Sequence, residues 1–380
     1  MTESNLIAVN ARSLVRPRSG IGVYTENVLR HAQGSGLQFL LLADNALTEE
    51  QACGWESRTL TLPFVSLEMG KNYAEPLWFH WLLPKAISTS RARLFWSPYF
   101  YVPWRCPVPT IATVHDTNPL DVPVRDHPWL WRRYFLVMLG VSAKQARHII
   151  VPSRRIADNL IAWYGVPAEK ISVIYHGVGE EFASPPNPNT AASLRERVGL
   201  ERPFVLFVGN LGERKNAMTL VRAYAQLPPA LRNEYALVIV GPSGCDETAI
   251  REFVTSENLT TQVKLVGYVH HNDLPELYKM ATVFAMPSLC ESFGIPIIEA
   301  MAAGIPVLAA DNTSIPEIAG DAAILLPARD VSKWANGLAL LLSDNNARED
   351  LRRRGLKRAA FFSWPKSAEE HMKVFREHLA

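Results

Sequence analysis

The chain has 380 residues, 48% hydrophobic and 20% charged, with a formal net charge of +2. That length exceeds one ordinary domain, and the near-neutral balance leaves no basic footprint for nucleic acid. The opening residues MTESNLIAVNARS lack the basic start and apolar core of a secretion signal, and no apolar run approaches the ~20 residues of a membrane span, so a cytoplasmic protein is expected. Cys53, Cys106, Cys245 and Cys290 are scattered without metal or redox spacing and predict free thiols.

In chain order, LIAVN, LQFLLLA, ARLFWSP, TIATVHD, HIIVPS and ISVIYHG are short apolar runs separated by longer connections. From Pro203 the rhythm tightens into FVLFVG, YALVIVG, VKLVGY, TVFAMP, IPVLAA and AAILLP, and the earlier of these are each followed by a helix-length segment. Continuous rather than alternating apolar strands mark parallel strands covered on both faces, so both halves predict doubly wound α/β sheets. Between them ASPPNPNTAA opposes helix and strand alike through its prolines and asparagines, and places a linker. The expected division is residues 1–184, residues 185–362 and a closing helix at 363–380. In that last segment Ser367 is a candidate cap, with Glu370 three residues on, and the helix is expected to cross back to the first domain. Eight of the ten tryptophans precede residue 184, so the halves differ in task.

Several segments carry candidate chemistry. RPRSGIGVYTENVL sets Gly20 and Gly22 where a loop meets a helix, either as an ordinary turn or with helix amides facing an anion. TVHDTNP delivers His115 and Asp116 to the carboxyl end of a strand. VGNLGERKN follows FVLFV, where a wound sheet places ligands, and Arg214 and Lys215 there are either surface charge or a grip for diphosphate. In CESFGIPIIEA, Glu291 and Glu299 stand eight residues apart. On one continuous helix such residues rise ~12 Å and point ~80° apart, so they cannot hold one small group together. Gly294 and Pro296 instead predict a loop that turns into a helix, with Glu291 in the loop, Glu299 in the first helical turn, and the amides of Phe293, Gly294 and Ile295 at the helix start. Such a site suits a ligand both sugar-like and phosphorylated. No carboxylate cluster suggests a metal site.

The run PSLCESFGIPIIEAMAAGIPVLAADNTSIPEIAGDAA closely resembles the signature region of the family 4 retaining glycosyltransferases, whose motif is glutamate, seven residues, glutamate. The resemblance extends over nearly the whole chain and implies the GT-B form of the α/β class, two Rossmann-like doubly wound domains facing a central cleft. It implies that Glu299 holds the ribose hydroxyls of a nucleotide, that Glu291 lies near the hydroxyls of the transferred sugar, and that the Phe293, Gly294 and Ile295 amides contact that sugar or its phosphate. Gly209, Asn210, Arg214 and Lys215 would form the phosphate grip. Asn210 stands where the commonest family pattern has arginine, and the adjacent Arg-Lys resembles members using mannose-type donors. Gly20 and Gly22 would lie over the donor phosphates, His115 at the donor sugar, and Gly267 and Tyr268 of GYVHHNDL beside the base. Asp116 would orient His115 or help shape the acceptor side, and Ser153 would face the cleft with the HGV of residues 176–178.

The reaction so implied is hexosyl transfer with retained configuration and without metal. The expected donor is GDP-mannose, with UDP- or dTDP-sugars as alternatives, and the expected acceptor is a lipid-linked saccharide of bacterial surface polysaccharide. YAEPLWFHWLLPKAI and HPWLWRRYFLVMLG fit either buried helices or contact with the inner membrane face. A phosphorylase, an epimerase and a non-catalytic sugar-binding protein are the competing readings.

Overall fold

A computed structural model describes residues 5–15, 19–61, 76–121 and 129–379. The opening residues 1–4, Arg16 to Arg18 of the glycine loop, and the leading residues of the two tryptophan-rich segments, 73–75 and 127–128, lie outside the described residues, as does the Trp131 side chain. The chain forms two compact units: Met1–Thr117, Trp129–Gly177 and Trp364–Ala380 make the first, and Asn118–Pro128 with Val178–Ser363 make the second.

The first unit holds a sheet of seven strands, β1 (Leu6–Asn10), β2 (Gln38–Ala43), β3 (Glu56–Thr59), β4 (Leu94–Ser97), β5 (Thr110–Thr113), β6 (His148–Val151) and β7 (Ile171–Val173), in the order β3-β2-β1-β4-β5-β6-β7. Every paired register is parallel. Strands β4, β5 and β6 are buried along their whole length, which is why they read as unbroken apolar or small-residue runs. Strand β3, ESRT, is exposed at all four positions. It occupies an edge, where charged side chains discourage further pairing, and its polarity hides it from an apolar-run search.

The second unit holds β8 (Phe204–Val208), β9 (Ala236–Val240), β10 (Val263–Gly267), β11 (Val283–Met286), β12 (Val307–Ala310) and β13 (Ala323–Leu326), in the order β10-β9-β8-β11-β12-β13, again all parallel. The helices packed on this sheet bring Leu220, Val221, Ile297, Met301, Trp334 and Leu338 into one core with the strands.

The final helix runs from Trp364 to Leu379 and buries Trp364, Ser367, Ala368, His371, Met372, Phe375 and Leu379, a stripe at three- and four-residue spacing. This stripe packs into the core of the first unit beside Tyr24, Val28 and Trp96. Ser367 is no cap: the helix starts three residues earlier, and Ser367 lies buried inside it with its carbonyl accepting from His371 Nδ1 at 2.6 Å. The aromatic burden of the first unit divides, with Trp78, Trp96 and Trp364 buried and Trp81, Trp104, Trp129 and Trp163 exposed.

Candidate functional site

In the second unit the strand order reverses between neighbours β8 and β11, and a crevice opens beyond the carboxyl ends of strands at such a switch point. The turn Glu213–Lys215 follows β8, and Glu291 follows β11. Sequence neighbours 76 apart therefore meet: Lys215 Nζ lies 2.7 Å from Glu291 Oε1. Arg214 Nη1 reaches Glu291 Oε2 at 3.1 Å and donates to the Cys290 carbonyl at 3.0 Å. Glu291 and Lys215 are both buried. Burial alone would push the Glu291 carboxyl upward, but the charges of Lys215 and Arg214, with the hydrogen bond from Lys215, outweigh it and hold the group at about 2.

The backbone around this ion triad is pinned by side chains that spacing alone did not single out. Thr313 Oγ1 accepts from the Glu291 amide at 2.9 Å, and Ser314 Oγ donates to the Glu291 carbonyl at 2.7 Å. Asn216, in the left-handed region at φ 53°, donates through Nδ2 to the carbonyls of Pro287 and Ala328 at 2.9 and 2.8 Å, tying the Arg-Lys turn to the loops after β11 and β13. The sequence signal for the first pair is the small polar run Asn-Thr-Ser before IPEIAG; for Asn216 it is an asparagine opening a helix.

The helix after Glu291 begins at Ile295, with Gly294 at φ 101° as its N-cap and no side chain capping it. Pro296 is thus the second helical residue, and Glu299 falls in the second turn rather than the first, because the left-handed glycine lets the helix start one residue sooner. Phe293 is buried, its ring edge-on to Phe362 with centroids 5.8 Å apart. Glu299 is pushed up to about 7 by burial in the first place and by Glu181 in addition, while the nearby Tyr278 hydroxyl and Lys215 pull it down. Two carboxylates of one motif are thereby separated: Glu291 is firmly ionised, and Glu299 is poised to exchange a proton near neutrality.

The neighbouring strand ends are joined through backbone. Gly209 donates to the Val240 carbonyl at 2.8 Å, and Gly241 donates to the Gly267 carbonyl at 2.9 Å. A Cβ on Gly241 would stand 2.0 Å from the Gly209 carbonyl oxygen, so this glycine, at φ 147°, is what lets the two loops touch. Asn210 is exposed, Gly267 ends β10 at φ 77°, and Tyr268 beside it is 71% exposed, a free aromatic face at the strand ends. Among the described residues no cluster of three His, Cys, Asp or Glu side chains has metal-holding geometry.

The other predicted residues lie in the first unit. The helix Gly20–His31 is capped by Ser19, whose Oγ accepts from the Gly22 amide at 3.1 Å, so that amide is already engaged. A Cβ on Gly22 would meet the Ser13 carbonyl oxygen at 2.8 Å, whereas one on Gly20 would meet nothing within 4 Å. His115 follows β5, its Nε2 2.9 Å from the Pro98 carbonyl, and burial lowers its pKa to about 4, which keeps the ring neutral. Asp116 is half-buried beside it in sequence, and Ser153 is fully buried at the start of the helix Arg154–Tyr164.

Residues 192–358 match the family model described as Glycosyl transferases group 1, and residues 18–182 match Glycosyltransferase Family 4. The chain is 30% identical over 284 residues to the O-antigen chain mannosyltransferase B of Escherichia coli, covering 74% of each protein. The chain belongs to the family 4 glycosyltransferases. This glycosyltransferase is also 29% identical over 276 residues to the serotype-specific mannosyltransferase WbdA of Escherichia coli; the match takes in 70% of the chain and 33% of that longer relative. Its fold matches sucrose-phosphate synthase from Thermosynechococcus elongatus at a TM-score of 0.79, with 22% identity and 98% of each chain covered. It also matches Anabaena Alr3699/HepE in complex with UDP and glucose at 0.74, with 19% identity over 98% of this chain and 99% of that one. The fold class is GT-B, with two Rossmann-like parallel sheets.

Proposed function

We propose that this glycosyltransferase moves a mannosyl group from GDP-mannose, with retention of configuration, to a lipid-linked saccharide in bacterial surface polysaccharide synthesis. The observation that carries the reading is the ion triad of buried Lys215 and Glu291 with half-buried Arg214 at the switch point of the second unit. Its two cations are the grip for a departing diphosphate, Arg214 as a fork and Lys215 as a compact charge. When the diphosphate takes these cations, Glu291 is released to accept from hydroxyls of the transferred sugar. Glu299 accepts from the ribose hydroxyls, and the open helix start at Phe293, Gly294 and Ile295 adds its partial positive charge. His115, neutral, hydrogen-bonds the sugar. Stabilising charge on the leaving group is then the main source of rate, and the leaving phosphate takes the acceptor proton on the same face. The mannosyl donor is supported by the mannosyltransferase names of the Escherichia coli relatives and by the adjacent Arg-Lys pair.

A membrane-facing acceptor is supported by the helix Trp129–Gln145, where Leu130, Tyr134 and Val137 stand exposed at four- and three-residue spacing with exposed Arg133 and Lys144 alongside. An apolar stripe flanked by cations fits an anionic lipid surface. No helix among the described residues is long and apolar enough to cross a membrane.

The test is a panel of labelled GDP-, UDP- and dTDP-sugars, read by transfer to a saccharide acceptor and by the rise in Tm on binding. GDP-mannose is expected to give both the largest shift and transfer. Transfer from a UDP-sugar alone would overturn the donor; consumption of donor with free phosphate, or its conversion without acceptor, would overturn the transferase reading in favour of a phosphorylase or an epimerase.

A further inference from the structure

The first unit contains a line of buried polar groups that the reaction as described does not use. Trp96 Nε1 lies 3.1 Å from Thr113 Oγ1, Thr113 Oγ1 lies 3.0 Å from Tyr24 Oη, and Tyr24 Oη lies 2.5 Å from His371 Nε2. His371 Nδ1 faces the Ser367 carbonyl, and only an N–H can do so; Nδ1 therefore carries the proton and Nε2 is a bare acceptor. That fixes every direction in the line. Tyr24 donates to His371, Thr113 donates to Tyr24, and Trp96 donates to Thr113. The line joins β4, β5, the helix Gly20–His31 and the closing helix.

Tyr24 is also the hub of an aromatic cluster. Its ring stands edge-on to His115, with centroids 4.5 Å apart and planes at 81°, and edge-on to His176 at 5.2 Å. His115 and His176 are nearly parallel at 5.4 Å and 26°. The His115 ring therefore packs against a nearly perpendicular Tyr24 ring and a nearly parallel His176 ring, while its Nε2–H is committed to the Pro98 carbonyl, leaving Nδ1 as the acceptor nitrogen. Rotation of the ring would break that hydrogen bond and meet the tyrosine ring.

We propose that Tyr24 is the positioning residue for His115, and that the closing helix, through His371, holds Tyr24 in place. A helix about 250 residues further along the sequence thus sets the orientation and tautomer of a histidine at the carboxyl end of β5. The consequence for catalysis rests on the role given to His115 above; the consequence for the ring does not. A perpendicular aromatic contact adds to the ring orientation, and hence the tautomer, already favoured by the hydrogen bond to Pro98.

Three variants and two readouts test this. Tyr24→Leu removes the ring edge, Tyr24→Phe keeps it and removes the hydroxyl, and His371→Phe leaves the Tyr24 hydroxyl without its acceptor. Imidazole nitrogen shifts of His115, recorded without donor, are expected to show the Nε2–H tautomer alone in the parent, a tautomer mixture in Tyr24→Leu, and a smaller admixture in Tyr24→Phe and in His371→Phe, which both lose the Tyr24–His371 hydrogen bond. Transfer kinetics are expected to show kcat lowered roughly fivefold in Tyr24→Leu with KM for donor nearly constant, about twofold in Tyr24→Phe, and between these in His371→Phe. A single unchanged tautomer in Tyr24→Leu, or in His371→Phe if the leucine variant does not fold, overturns the positioning and leaves a packing cluster. Unchanged transfer in His115→Ala overturns the reading of the reaction instead, and the tautomer signal still decides the positioning.

Discussion

The two units each bury a polar cluster near the carboxyl ends of their strands, and the clusters are built on opposite principles. In the second unit Lys215 and Glu291 bury formal charge, and with half-buried Arg214 they hold it in one ion triad. In the first, Tyr24, His115, His176 and His371 bury groups that stay neutral because burial lowers every histidine. On the proposed reading the charged cluster receives a departing anion, which needs cations held in place beforehand, and a removable counter-charge makes their burial tolerable until the anion comes. A site that must only orient needs fixed hydrogen-bond directions, and an imidazolium there would be a liability. Charge is stored in one half and direction in the other.

The largest expected effect comes from breaking the charged cluster. Lys215→Ala should lower kcat by a few hundredfold and weaken donor binding, since a buried cation facing the leaving group is worth on the order of 3 to 4 kcal/mol. Steady-state kinetics check this, and unchanged transfer would reject the grip. Glu291→Gln should act differently: with the counter-charge gone, a free nucleoside diphosphate should bind more tightly by calorimetry while transfer falls, and weaker binding would show that Glu291 does not compete with the phosphates.

Acid should separate the clusters next. His371 has a folded pKa of about 4 against 6.5 unfolded, so the unfolded chain binds its proton first as pH falls. Its contribution is complete above pH 6.5, declines between 6.5 and 4, and is constant below, a loss of about 3 kcal/mol. Glu291, depressed to about 2 from 4.5, stabilises fully above 4.5 and gives way only as pH falls toward 2. Denaturant unfolding with Trp fluorescence between pH 7 and 5 should therefore show loss of stability in the first unit, diminished in His371→Phe; a flat profile would contradict the buried neutral histidine.

A smaller effect follows at Glu299. Its carboxyl, held up at about 7, must be ionised to accept from two hydroxyls, so donor binding releases a proton below neutrality. Donor affinity should rise about tenfold per pH unit up to 7 and level off above, with the released proton visible as a buffer-dependent binding enthalpy. Binding without that release would remove Glu299 from the ribose. The smallest effect is expected at the surface of the first unit, where Leu130→Ser with Tyr134→Ser should reduce retention on anionic vesicles a few-fold in a sedimentation assay, and retention equal to the parent would leave the exposed stripe without a lipid role.

Much of this arrangement is legible in the residues. Buried parallel strands announce themselves as unbroken apolar runs because both faces are covered, and VGNLGERKN and CESFGIPIIEA sit directly after two of them. Strand β3 is silent because an exposed edge strand need not be apolar. Ser367 imitates a cap because local pattern cannot register that Trp364 is drawn into a core formed by another part of the chain. The polar pins Thr313, Ser314 and Asn216 are common residue types whose meaning depends on what lies across from them.

The amino-acid sequence by itself determined two wound sheets, the family, and which cations and carboxylates stand at strand ends, since periodicity and local motif are properties of neighbours along the chain. Only the tertiary structure decided that Lys215 and Arg214 are spent on Glu291, that Glu299 is poised near neutrality, and that Tyr24 meets His371 across 347 residues. Those outcomes are set by distance and burial, and both are fixed by how the sheets order their strands and where the last helix docks.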